Sequence, residues 1–244
     1  AAVLRSTVID LVICMPGNAD NDAFDVARDI KGKFPNIHCV VLTPFSHGIT
    51  KRMQNEDLSI FDYVFCWLGN TNLILSIIKL IEDKMNLEHD IQEAGVQMIL
   101  LVEDSIRFYS SILPNLYNYI LEQSKNFSQE ALNRHAATMR MRGRPKVVLA
   151  RTYEEAQKLY DKYSDNTLGV ISDARFPLKS AAKAFGNEVM PEEKPKHRTD
   201  TFGREKCPDA GLQLFRYIRK NDPFVPLIIE SSESENRAKA EAEG

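Results

Sequence analysis

Leu168-Gly-Val-Ile-Ser-Asp173-Ala-Arg-Phe-Pro177 is the stretch on which the fold turns. A mostly apolar run leads directly into Asp173, and a turn-forming proline follows. A buried parallel strand reads this way when it delivers a carboxylate to its C-terminal edge, where open α/β sheets hold their chemistry. Val96-Gln-Met-Ile-Leu-Leu-Val-Glu103-Asp104 repeats the device with two adjacent acids. If the two strands are neighbours, Glu103, Asp104 and Asp173 form a three-carboxylate pocket, and hard oxygen ligands of that kind suit Mg²⁺.

On either side of these two stretches, apolar runs alternate with segments of helical spacing. Strands are predicted at Val8–Met15, Ile37–Thr43, Tyr63–Leu68, Val96–Val102, Lys146–Ala150, Leu168–Ser172 and Val225–Ser231. Helices are predicted at Asp22–Phe34, Leu73–Met85, Ser105–Gln123, Tyr153–Tyr163 and Ala210–Lys220, with the start of another at Glu233–Glu243. In Leu73–Met85 the apolar side carries Leu73, Ile77, Leu80 and Ile81, which puts Lys79, Glu82 and Asp83 on the polar side. Asn86–Gly95 reads as a linker or helix tail. Lys125–Pro145 is polar and basic; its Arg140, Arg142 and Arg144 suit phosphate contacts or, more simply, a solvated helix end. Phe176–Pro208 has many charges and little periodicity, and it is expected to be a long loop, either mobile or packed as an irregular flap beside Asp173. Strand–helix alternation implies parallel sheets covered on both faces.

The composition narrows the functional classes. A formal charge of −3 argues against a general nucleic-acid binder. Cys14, Cys39, Cys66 and Cys207 lack metal-ligand spacing, and the first three sit in apolar runs, so they read as reduced buried thiols. No signal peptide is visible, and no apolar run reaches the ~18 residues of a membrane span, so a cytoplasmic protein is expected. No Gly-x-Gly-x-x-Gly follows a strand, which weakens a dinucleotide-binding reading.

The chain also matches itself. Val12-Ile-Cys-Met15 aligns with Val170-Ile-Ser-Asp173, Asp22-Ala-Phe with Asp209-Ala-Gly, and Val40-Val-Leu-Thr43 with Ile228-Ile-Glu-Ser231. This is duplication of one α/β unit seen in two windows. The first copy is expected to begin at its third strand and the second to stop after its fourth.

On these residues the second copy resembles a response-regulator receiver domain. The resemblance implies a flavodoxin-like (CheY-like) doubly wound parallel sheet. It implies Glu103 and Asp104 as the acid pair, Asp173 as phosphoacceptor and Ser231 as switch hydroxyl. Mg²⁺ would be held by Glu103, Asp104, Asp173 and the backbone carbonyl of Arg175. The strand-five lysine of such domains has no counterpart before Gly244. The first copy departs at the chemistry, with Met15 at the acceptor position, Cys66 at the lysine position and only Thr43 remaining, so it resembles a pseudo-receiver. The implied domains are residues 1–90 (pseudo-receiver) and 96–244 (receiver), with insertions near 125–145 and 176–208. The wording of Gln54-Asn-Glu-Asp-Leu-Ser59, Trp67-Leu-Gly-Asn-Thr-Asn72 and Leu101–Ser111 is also similar to the N-terminal regulatory region of phosphoenolpyruvate synthase-like proteins.

The expected function is therefore a phosphorelay receiver, itself not an enzyme, that regulates an attached or partner protein. Its expected partners are a histidine kinase or phosphotransfer protein and attached phosphoenolpyruvate synthase-like domains, with a homodimer also compatible. Neither nucleic acid nor membrane is expected. Two alternatives remain at this stage. One is a structural, dimerising module that takes no phosphoryl group, in which Glu103-Asp104 is a strand end and helix cap and Asp173 a turn residue. The other is an aspartate-nucleophile phosphohydrolase, whose usual second acid is replaced here by Arg175.

Overall fold

The computed structural model describes residues 8–16, 23–44, 58–179, 199–200 and 204–231. The chain divides into two compact units, Ala1–Ile81 with Ile106–Leu116, and Glu82–Ser105 with Tyr117–Gly244. The boundary falls within two helices, α2 (Asn72–Ala94) and α3 (Ile106–Gln129).

The first unit holds a three-stranded parallel sheet, β1 (Leu11–Cys14), β2 (His38–Pro44) and β3 (Tyr63–Trp67), in that order. Helix α1 (Ala23–Lys33) buries Phe24, Ala27 and Ile30 at helical spacing. Phe24 meets Phe61 edge to face at 5.5 Å, and Phe65 meets Tyr109 likewise at 5.4 Å. The Tyr109 hydroxyl donates to the Val64 carbonyl, and the Cys66 N–H donates to Ser110 Oγ at 2.9 Å. Asp62 gathers Lys31 Nζ at 3.0 Å, His38 Nδ1 at 2.9 Å and the Cys39 N–H at 3.0 Å, which ties α1 to the starts of β2 and β3. Burial raises the thiol pKa of Cys14 (to about 11), Cys39 and Cys66, as expected for inert core thiols.

The second unit holds β4 (Met98–Val102), β5 (Lys146–Ala150), β6 (Thr167–Asp173) and β9 (Leu227–Glu230) in one parallel sheet ordered β5-β4-β6-β9. Met98, Leu100, Val102, Val148, Ala150 and Val170 share one core cluster with α5 (Tyr153–Tyr163) and α6 (Ala210–Asn221), which contribute Ala156, Tyr160, Leu214 and Ile218. The intervening strand residues Leu101, Val147 and Leu149 are buried as well, so both faces are covered at β4 and β5, whereas Ile228 of β9 is exposed. The chain thus has the expected α/β architecture with parallel sheets.

Of the two forms expected for Asn86–Gly95, linker or helix tail, the structure has the helix tail: helix runs as far as Ala94 and ends where Gly95 takes φ +60° and donates its N–H to Ile91 at 2.9 Å, a left-handed stop suited to glycine. Other expectations need correction. The polar stretch 125–145 is mostly helical: α3 runs through Pro114 to Gln129, and α4 (Arg134–Arg142) is capped by Asn133 Oδ1, which accepts from the Ala136 N–H. Asp83 is fully buried rather than on a solvated face. Its carboxylate accepts from Arg144 at 2.6 and 3.1 Å, from the Tyr117 hydroxyl at 2.9 Å and from the Val147 N–H at 2.9 Å. Arg144, the last member of the basic alternation, is therefore an internal partner, while Arg140 lies over the Phe127 ring at 4.3 Å. Lastly, one part of the charged segment after Asp173 pairs antiparallel: β7 (Phe176–Pro177) and β8 (Lys206–Cys207) form a two-residue ribbon. Residues 180–198 and 201–203 of that segment, and the expected helix at Glu233–Glu243, lie outside the described residues.

Candidate metal centre

Strand β4 lies between β5 and β6. Its onward connection leads to one neighbour, whereas the chain reaches β6 on the other side by way of α5. Such a reversal opens a crevice beyond the C-terminal strand ends. The acid pair leaves β4 there and Asp173 ends β6 there, with Val102 in register with Ser172. Ligand oxygens of Glu103, Asp104 and Asp173 all lie within 4.8 Å of one another, as the sequence anticipated.

Each carboxylate has a distinct environment. Glu103 is buried and accepts from the Ser105 N–H at 2.8 Å. Asp104 is fully buried at the side chain, and Lys206 Nζ stands 3.0 Å from its Oδ1 and 2.7 Å from its Oδ2. The ammonium is not aligned to donate to Oδ2, which accepts no hydrogen bond among the described residues. Asp173 is half-buried, and its carboxylate accepts from the Ala174 N–H at 2.7 Å and from the Arg175 N–H. Arg175, named as a backbone ligand, is thus at the site through its N–H. Ser231 follows the end of β9, whose Glu230 is paired with Asp173, and is exposed.

Packing acids together out of water disfavours their charged forms. Burial, followed by the charge of Asp173, pushes Glu103 up to about 8. Burial pushes Asp104 up to about 6 even though Lys206 opposes it. Asp173 is also raised by burial, against the hydrogen bonds from Ala174 and Arg175 and the charge of Lys206. Three carboxylates with ligand oxygens within 4.8 Å of one another are a donor set that fits a hard divalent cation, which takes carboxylate oxygens and relieves this repulsion.

Two residues at the site escaped the sequence reading. Lys206 comes from the charged stretch that lacks periodicity, 102 positions from its partner. Gly211, in the first turn of α6, donates its N–H to the Ala174 carbonyl at 3.1 Å. A Cβ there would meet the Asp173 carbonyl oxygen at 2.5 Å and the Ala174 Cα at 2.9 Å, so only glycine lets α6 approach this strand end. The aligned Asp22-Ala-Phe and Asp209-Ala-Gly carried a signal for it, since the copies differ at that one place.

No family model, curated protein or solved structure matches the chain.

Proposed function

We propose that this chain is a regulatory receiver module, a degenerate flavodoxin-like copy followed by a phosphate-accepting one, with Asp173 as the acceptor. The observation that carries the reading is the convergence of Glu103, Asp104 and Asp173 within 4.8 Å at the reversal point of the β5-β4-β6-β9 sheet. That order corresponds to the first four strands of the flavodoxin-like arrangement 2-1-3-4-5. The β1-β2-β3 sheet suits the third to fifth strands of a further copy. There Met15 offers a thioether, neither a nucleophile toward phosphorus nor a hard-metal ligand. Thr43 is buried, with its hydroxyl turned onto the Pro44 carbonyl at 3.1 Å.

Glu103, Asp104 and Asp173, with the Arg175 carbonyl, are the residues that would hold Mg²⁺, whose contribution is to offset the negative charge between a carboxylate and an incoming phosphoryl group. Asp173 attacks phosphorus through a carboxylate oxygen; the bond from phosphorus to the donor's leaving oxygen breaks, and an acyl phosphate forms. The N–H groups of Ala174 and Arg175 orient that carboxylate. Ser231, one residue past β9, donates to the new phosphoryl group and couples it to the surface beside that strand. A histidine kinase or phosphotransfer protein is the natural donor, and phosphoenolpyruvate synthase-like domains are the proposed target of regulation.

A second reading, a structural module that takes no phosphoryl group, draws on the Lys206–Asp104 ion pair, which already offsets part of the cluster's charge. Incubation with acetyl phosphate and Mg²⁺ followed by peptide mass spectrometry separates the two. The receiver reading expects an adduct on Asp173 alone, lost in Asp173→Asn. Label elsewhere, or equal label on the variant, refutes it.

A further inference from the structure

We propose that Lys206 is the resident counter-ion of the acidic pocket and that a divalent cation binds there only by displacing the Lys206 ammonium from Asp104. This inference rests on the metal-site reading above and concerns how that site is regulated.

The Lys206 ammonium faces both oxygens of Asp104, at 3.0 and 2.7 Å, and its side chain is only 16% exposed. A cation coordinated to the same carboxylate would sit beside that ammonium in a poorly hydrated setting, where like charges repel strongly. Both Asp104 oxygens lie within 3.0 Å of the ammonium, so a cation on either one meets that charge. The two positive charges therefore compete for one carboxylate.

Lys206 does not satisfy the pocket. One ammonium, ion-paired to Asp104, stands against three carboxylates whose ligand oxygens lie within 4.8 Å of one another. Asp200, which adds to the negative field at Asp104, is itself engaged by Arg204: Nε donates to its Oδ2 at 2.6 Å, and the Arg204 N–H donates to its Oδ1 at 2.8 Å. Arg175 adds positive charge near Asp173, and Lys206 is the ammonium paired to Asp104. Its strand pairs over two residues, Phe176 with Cys207 and Pro177 with Lys206, and a lysine stem is flexible enough for the ammonium to swing away. Cation binding and withdrawal of Lys206 are then a single event, which reports the state of the pocket to the ribbon.

The test is calorimetric titration of the full chain with Mg²⁺, as wild type, Lys206→Met and Lys206→Gln, with Asp104→Asn as the non-binding control. Both lysine variants are expected to bind Mg²⁺ about tenfold more tightly, equivalent to ~1.4 kcal/mol. A second measurement needs no variant: pulsed acetylation of wild type, read by mass spectrometry, should label Lys206 several-fold faster at saturating Mg²⁺. Equal or weaker binding by the variants, or a Lys206 labelling rate that ignores Mg²⁺, overturns the proposal while the metal site stands. Failure of wild type and both variants to bind Mg²⁺ removes the site and the proposal together.

Discussion

Replacing Asp83 by alanine should destabilise the second unit more than any change at the acidic pocket. The carboxylate binds Arg144 twice, at 2.6 and 3.1 Å, and also accepts from the Tyr117 hydroxyl and the Val147 N–H. Arg144 is 6% exposed at the side chain, so truncation leaves a guanidinium in the interior, with Glu82 at 3.8 Å and the Pro145 carbonyl at 3.2 Å still beside it. Removing one partner of a buried pair costs about 3–5 kcal/mol. The orphaned tyrosine hydroxyl and backbone N–H would each cost about 1–3 kcal/mol in isolation, but they share the same relaxation, so the terms do not add. About 4 kcal/mol is therefore expected, a large part of the roughly 5–15 kcal/mol of a typical domain. With a urea slope of about 2 kcal/mol/M, the midpoint should fall by roughly 2 M. Asp83→Leu combined with Arg144→Met removes both charges and should recover more than half of the loss. A midpoint for Asp83→Ala within about 0.5 M of wild type, equal to roughly 1 kcal/mol, would refute the reasoning.

Gly211→Ala should displace the end of β6, because its new Cβ meets backbone at 2.5 and 2.9 Å. Overpacking of this kind costs about 1–3 kcal/mol against a helix-propensity gain of at most about 1 kcal/mol, so thermal unfolding should shift down by a few degrees; an unchanged or raised midpoint contradicts the close approach. The raised acids set a pH dependence. Between the ordinary carboxylate range and about pH 8, the folded chain holds more protons on Glu103, Asp104 and Asp173 than the unfolded chain does. Stability of the metal-free protein should therefore be highest at the acidic end of that window and fall as pH rises to about 8. Urea unfolding across pH 5 to 8 checks this, and the triple variant Glu103→Gln, Asp104→Asn, Asp173→Asn should flatten the slope.

The parts of the fold legible in the sequence were those written in neighbouring residues. The apolar runs before Glu103 and Asp173 specify strands whose C-terminal ends carry acids, and parallel alternation brings those ends to one edge. What escaped was encoded between distant residues. Asp83 sits at the margin of an amphipathic pattern, and only Arg144, 61 positions away, explains why an acid is buried there. Lys206 occupies a strand too short for any periodicity to register. The basic run at Arg140, Arg142 and Arg144 looked uniform, yet its members diverge because one reaches the core and another lies on an aromatic ring.

The β7–β8 ribbon has a consequence for how this chain tolerates change. Pro177 is tied to Lys206 directly after the strand that ends in Asp173. The two ends of the intervening stretch are thus joined at a fixed point beside the pocket. A one-residue slip of that pairing would turn the Lys206 side chain to the other face of the ribbon, so it is the register of two residue pairs that presents the ammonium to Asp104.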